Sequence, residues 1–168
     1  MFPIKIKNKA EKVVKLCLKK KIKLAFAEAC TGGLLSSLIT SFPNSSKIFS
    51  CGYVTYSNLS KEKMLGISRN KIKKYGAVSK AIAGLMAESA AVKANADIGI
   101  GITGIAGPGG ATKNKKVGDV YITLYRFKNK KFITSIDSGL SAYKGTRESI
   151  RLASVDCALD CLLEELKF

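Results

Sequence analysis

A chain of 168 residues, 46% of them hydrophobic, is long enough for one well-packed core and short for two, and none of its apolar runs approaches the roughly 20 residues that span a bilayer. Histidine is absent and the formal charge is +17, so Ser-His-Asp and Cys-His nucleophile activation and histidine metal sites are excluded, and any general base is lysine, a carboxylate, tyrosine or water. The charge invites polyanions, but it is overwhelmingly lysine, scattered along the whole chain without a zinc-finger, RRM or KH pattern, which argues for non-specific retention and against specific nucleic-acid recognition.

Met1 to Lys23 alternates lysine with apolar residues and lacks the apolar stretch of a secretory leader, so the cytoplasm is the expected compartment and no membrane partner is expected. Within that segment, Lys5 to Lys20 carries Ile6, Ala10, Val13, Val14, Leu16, Cys17 and Leu18 among lysines, the pattern of an amphipathic helix packed on a sheet. Leu24 to Ala27 predicts a buried strand. It breaks into Gly32-Gly33, after which Leu34, Leu35, Leu38 and Ile39 recur at helical spacing, with Thr31 placed to cap that helix. Phe42 to Ser46 is turn chemistry, and Ile48 to Tyr56 returns to the β-branched and aromatic residues of a strand. Ser57 is placed to cap a helix that runs through Leu65 and stops at Gly66. Ser68 to Lys74 predicts a short basic helix or turn, and Ser79 caps an alanine-rich helix ending near Asn95. Asp97 to Thr103 alternates Ile with Gly, which predicts a buried strand with something packed very close against its glycines. Gly104 to Lys116 is a glycine-rich loop; Val117 to Phe127 and Lys131 to Asp137 predict a hairpin turning at Lys128-Asn129-Lys130; Thr146 to Leu166 predicts a closing amphipathic helix. Strands alternating with helices and ending in a hairpin predict an α/β fold: one domain over residues 1–168, a three-layer α/β/α sandwich with a mixed sheet. The five cysteines are odd in number and form no C-x-x-C pair, so neither a disulfide framework nor a metal site is expected, and Cys157 and Cys161, four residues apart, read as buried apolar thiols.

Three predicted strand ends carry polar, turn-rich sequence: Glu28 to Gly33, Tyr56 to Lys61, and Thr103 to Gly110. Ligands of open α/β sheets bind at the carboxyl ends of strands, so these loops line one pocket if their strands run parallel. Gly32 and Gly33 would let a ligand approach the backbone, and the helix start behind them offers donors to an anion, although the same residues also make a plain strand–turn–helix connection. The loop from Gly101 to Gly110 has neither the Walker A nor the G-x-G-x-x-G spacing, and by composition it also suits a flexible connector. Lys61 is the candidate base, because burial or positive neighbours lower a lysine's pKa, and Tyr56 could relay a proton or orient a substrate. Singly they fit a solvated helix residue and a core-edge aromatic. Together with the Thr/Gly turn they fit a hydrolase in which lysine does the work of the missing histidine.

These residues carry a resemblance. Glu28-Ala29-Cys30-Thr31-Gly32-Gly33, Gly52-Tyr53-Val54-Thr55-Tyr56-Ser57-Asn58 with Lys61, Tyr75-Gly76-Ala77-Val78-Ser79, and Thr103-Gly104-Ile105-Ala106-Gly107-Pro108 with Val117-Gly118 resemble, in order, the motifs of the CinA C-terminal domain family, and Gly145-x-Arg147-x-x-x-Arg151 resembles its last motif. The resemblance runs from about Lys5 to Leu163. It implies an α/β/α domain, usually homodimeric and without metal or other cofactor, that hydrolyses the carboxamide of nicotinamide mononucleotide to nicotinate mononucleotide and ammonia. It puts Ala29, Tyr56 and Lys61 on the catalytic positions, and Cys30, Thr31, Gly32, Gly33, Ser57, Asn58, Thr103, Gly104, Gly107 and Arg147 around the substrate, with Lys113, Lys115 and Lys116 as further phosphate candidates. The chain departs from the pattern at one point: Ala29 stands where the family carries its serine nucleophile. Three accounts follow: an introduced inactivation, a natural loss leaving a nucleotide-binding or damage-response protein, or attack by Thr31, Cys30 or an activated water.

Overall fold

The computed structural model describes residues 2–129 and 131–167, so Lys130 of the expected hairpin turn lies outside the described residues. The elements in chain order are α1 (Ile4–Lys20), β1 (Leu24–Glu28), α2 (Leu34–Thr40), β2 (Phe49–Val54), α3 (Asn58–Leu65), α4 (Arg69–Tyr75), α5 (Lys80–Ala94), β3 (Ile98–Gly104), β4 (Asp119–Lys128), β5 (Lys131–Ala142) and α6 (Arg147–Glu165). The strands form one five-stranded sheet in the order β2-β1-β3-β4-β5. β1 runs parallel to both β2 and β3, whereas β3, β4 and β5 are antiparallel neighbours, which makes the mixed sheet that the alternation of elements predicts.

Side chains alternate across β1, and each face buries a different set of helices. Leu24 and Phe26 join the core with Val13 and Cys17 of α1, Leu35 and Leu38 of α2, and Val155 and Leu159 of α6. Ala25 and Ala27 face the other way, toward Leu65 of α3, Ile72 of α4 and Ile82 and Met86 of α5. The Ile/Gly alternation of β3 follows the same logic. Ile98, Ile100 and Ile102 fill the first core, while a Cβ built on Gly99 or Gly101 would fall on the backbone carbonyl oxygens of Ala87 and Ala83, so α5 lies directly on the strand. Ser57, Ser68, Ser79 and Thr146 cap α3, α4, α5 and α6, each side chain accepting from a backbone N–H three residues on.

Several expected boundaries move. The second strand ends at Val54, two residues short of Tyr56. The hairpin's first strand starts at Asp119, and its second continues past Asp137 to Ala142. Asp137-Ser138-Gly139 has the chemistry of a turn, with Gly139 at φ 69° and its N–H donating to Asp137 Oδ1 at 2.9 Å. On an edge strand that chemistry is absorbed as a bulge: Asp137 pairs with Thr123, the register shifts, and pairing resumes at Leu140 opposite Tyr121. Thr31 does not cap α2. The helix starts behind Gly33 at φ 91° without a side-chain cap there, and the buried Glu28 carboxyl group takes the role from one turn away, accepting from the Leu35 and Ser36 N–H groups at 3.1 and 2.9 Å and from Ser36 Oγ at 2.7 Å. Among the described residues no helix is long and apolar enough to cross a membrane.

Candidate active site

Because β1, β2 and β3 run parallel, their carboxyl ends share one edge of the sheet, with Glu28 in register with both Val54 and Ile102. The three loops that follow line one cavity of about 210 Å³. Ala29 and Cys30 come from the first loop, Tyr56, Asn58 and Lys61 from the second, Thr103, Gly104 and Gly107 from the third, and Arg147 from the start of α6. The structure therefore brings together nine of the residues read from sequence. Thr31, Gly32, Gly33 and Ser57 are not in its lining; they shape the turn and the helix starts behind it.

Lys61 is the unusual member. It lies in the first turn of α3, where it and Leu65, four residues apart, are the helix's two buried positions. Only 2% of it is exposed, and its Nζ donates to the carbonyl oxygen of Thr55 at 2.8 Å. Burial lowers its pKa from the ordinary 10.5. Cys30 is itself buried, which pushes its thiol up to about 11 and keeps it protonated near neutrality. Thr31 is fully buried, and its Oγ1 has no hydrogen-bond partner among the described residues. The Gly32 N–H donates to the Ala29 carbonyl at 3.0 Å, so it does not point a free donor at the cavity.

Two arginines on successive turns of α6 hold the loops in place. Arg147 donates from Nη1 to the Gly107 carbonyl at 2.6 Å and from Nη2 to the Tyr56 hydroxyl at 2.8 Å. Arg151 donates from Nη2 to the Thr31 carbonyl at 2.7 Å. All three loops are thus tied to one helix. Thr103 is buried with its Oγ1 donating to the Ala77 carbonyl at 2.8 Å, and Lys115 Nζ donates to the Val78 carbonyl, which spends this lysine on holding the glycine-rich loop. Lys113 and Lys116 are exposed and outside the cavity lining. The sequence motifs contain Glu28 and Arg151 without giving either a role. Arg151 had a signal in its spacing of four from Arg147, whereas Glu28 sits inside a strand and nothing local marks its carboxyl group as a helix cap. No group of three or more His, Cys, Asp or Glu able to hold a metal ion is present among the described residues.

Residues 6–166 match the model of the CinA C-terminal domain. The chain is 43% identical over 157 residues, 94% of its length, to a Clostridium botulinum type A protein named as competence-damage inducible, and 50% identical over 117 residues, 70% of its length, to a CinA-like protein of Prochlorococcus marinus. It spans 37% and 27% of those two relatives. Among solved structures it is similar to the competence/damage inducible protein CihA of Agrobacterium tumefaciens, with a TM-score of 0.92 at 33% identity over 100% of this chain and 99% of that one. A CinA superfamily protein of Escherichia coli superposes with a TM-score of 0.87 at 29% identity, over 95% of this chain and 90% of that one.

Proposed function

The chain belongs to the CinA C-terminal domain family, and from that premise we propose that its cavity is a site for hydrolysis of the nicotinamide mononucleotide carboxamide that has lost its attacking oxygen at Ala29. The observation that carries this reading is Lys61. A lysine buried at the wall of the cavity, with its pKa lowered by that burial, is the amine a serine hydroxyl at position 29 would need as general base. In that form Lys61 takes the hydroxyl proton, the oxygen attacks the amide carbon, ammonia leaves, and water releases the acyl group. Tyr56, oriented by Arg147, is the group placed to carry protons, and Arg147 is the cation placed to meet the substrate's phosphate. The other attacking groups are less suited: Thr31 is outside the cavity lining and the Cys30 thiol is held protonated.

The chain as it stands then binds the mononucleotide without turning it over, which is also what a silent nucleotide-binding protein would do, and Ala29 itself favours that second reading. Deleting the nucleophile of a serine hydrolase costs about a millionfold in rate. Ammonia release from nicotinamide mononucleotide is therefore expected from Ala29→Ser, to be absent from the parent, and to vanish again when Lys61→Ala is added. Turnover by the parent at a rate comparable to Ala29→Ser overturns the assignment of position 29. Failure of both, with calorimetric binding of the mononucleotide retained, leaves the silent binding protein. The reading takes a homodimer as the working unit, supported by the exposed apolar side chains of Val54, Tyr56 and Leu59 beside the edge strand β2. Sedimentation velocity that finds only an 18.0 kDa species removes that part.

A further inference from the structure

In this chain Lys61 lines the same cavity as Ala29, whose side chain is a methyl group at the position where an amidase would carry a hydroxyl. Among the described residues it forms no ion pair, and its one hydrogen bond there goes to the Thr55 carbonyl. An ammonium carries three N–H donors, so the charged form would leave two of them without a protein acceptor at a buried position. The neutral amine has one donor fewer and a lone pair. Burial favours that form, as the lowered pKa reflects. Other lysines contrast with it: Lys9 is paired with Asp156 and Asp160, Lys80 with Asp137, and in both the pKa is raised. A neutral primary amine on a cavity wall is a nucleophile toward carbonyl carbon, and lysine is the residue that forms such adducts when desolvated.

We infer that Lys61 is a covalent binding site for small anionic aldehydes, held as an imine on Nζ. The Nζ lone pair attacks the aldehyde carbon, the carbonyl oxygen takes up a proton as nitrogen loses one, and a carbinolamine forms. Its hydroxyl group then departs as water with a second proton while the C–O bond breaks and C=N forms. One water is released for each imine, and no oxidant or reductant takes part. Tyr56 lines the same cavity and is the proton carrier for loss of the hydroxyl group, while Arg147 supplies the positive charge that selects an anionic aldehyde over a neutral one. This does not depend on amide hydrolysis, because it uses the alanine form and an amine whose expected partner is missing.

The test uses the unaltered protein with glyoxylate and sodium cyanoborohydride at pH 7, the borohydride reducing any imine to a stable secondary amine, followed by digestion and mass spectrometry of each lysine peptide over time. The adduct is expected on Lys61 several-fold faster than on the exposed Lys12 and Lys63, and the preference is expected to shrink as pH rises toward the ordinary lysine value of about 10.4. With acetaldehyde in place of glyoxylate, the ratio of Lys61 to Lys63 labelling is expected to fall. Labelling of Lys61 no faster than Lys63 overturns the site. An unchanged ratio with acetaldehyde overturns the anionic preference. Neither readout involves ammonia, so failure here and failure of the amidase reading are told apart.

Discussion

A lysine on a helix usually lays its stem along the surface and keeps its ammonium in water. Lys61 does the opposite because its helix starts directly behind a strand end at the sheet edge, where the Thr55 carbonyl accepts from its Nζ. The cost of burying the charged form becomes a chemical property. In the Ala29→Ser form, the base is the neutral amine, so the rate rises with pH as Lys61 loses its proton. Since burial lowers its pKa, the rising limb is expected to level off below the ordinary 10.5 of lysine. A pH profile of kcat that keeps climbing through 10.5 speaks against Lys61 as the base. Arg147 shows the same dependence of chemistry on placement. One guanidinium engages both Tyr56 and Gly107, so the fork geometry that suits arginine to two acceptors at once also joins two loops.

At the scale of elements, β3 and α5 depend on each other most directly. The strand's glycines leave room for the helix backbone, and the alanines Ala83, Ala87 and Ala91 of α5 bring that backbone within reach of the sheet. A methyl group at Gly101 would meet the Ala83 carbonyl and the Ala87 N–H, both fixed in the helix. Gly101→Ala is therefore expected to destabilise the fold by about 1–3 kcal/mol, the usual cost of overpacking a filled core. Chemical denaturation reads this, and a midpoint unchanged from the parent would show that α5 can lift off without loss. Because β3 also delivers Thr103 and Gly104, the same substitution disturbs the cavity from beneath. The turn after β1 is stabilised differently. Glu28 holds the start of α2 and Arg151 holds the Thr31 carbonyl, so the loop bearing Ala29 is fixed on both sides by groups outside it.

For the whole molecule, the charge of +17 is spread over a surface on which Lys9, Lys15, Arg69, Lys80 and Arg126 are the cations held in ion pairs among the described residues. The exposed pairs among them, Lys15–Glu11 and Arg69–Glu62, contribute little, and the many cations outside ion pairs act mainly through their long-range field. The protein is expected to be retained on heparin and on duplex DNA without sequence preference, with affinity falling steeply between about 50 and 200 mM salt. A preference for one DNA sequence that survives 200 mM salt would show specific recognition instead. The order and type of most elements, the layered α/β class, the close packing on the β3 glycines, and the three strand ends that meet at the site were legible in the chain. That is because periodicity, glycine and capping residues are local signals that report on one segment at a time. Tertiary structure alone decided that Lys61 is buried and not solvated, that Glu28 and not Thr31 caps α2, that Asp137 to Gly139 is a bulge and not a strand end, and that Arg147 and Arg151 bind the loops to α6. Each of these depends on which groups lie nearby across a gap of many residues, and the hydrogen bonds and desolvation that fix them exist only once the sheet has assembled.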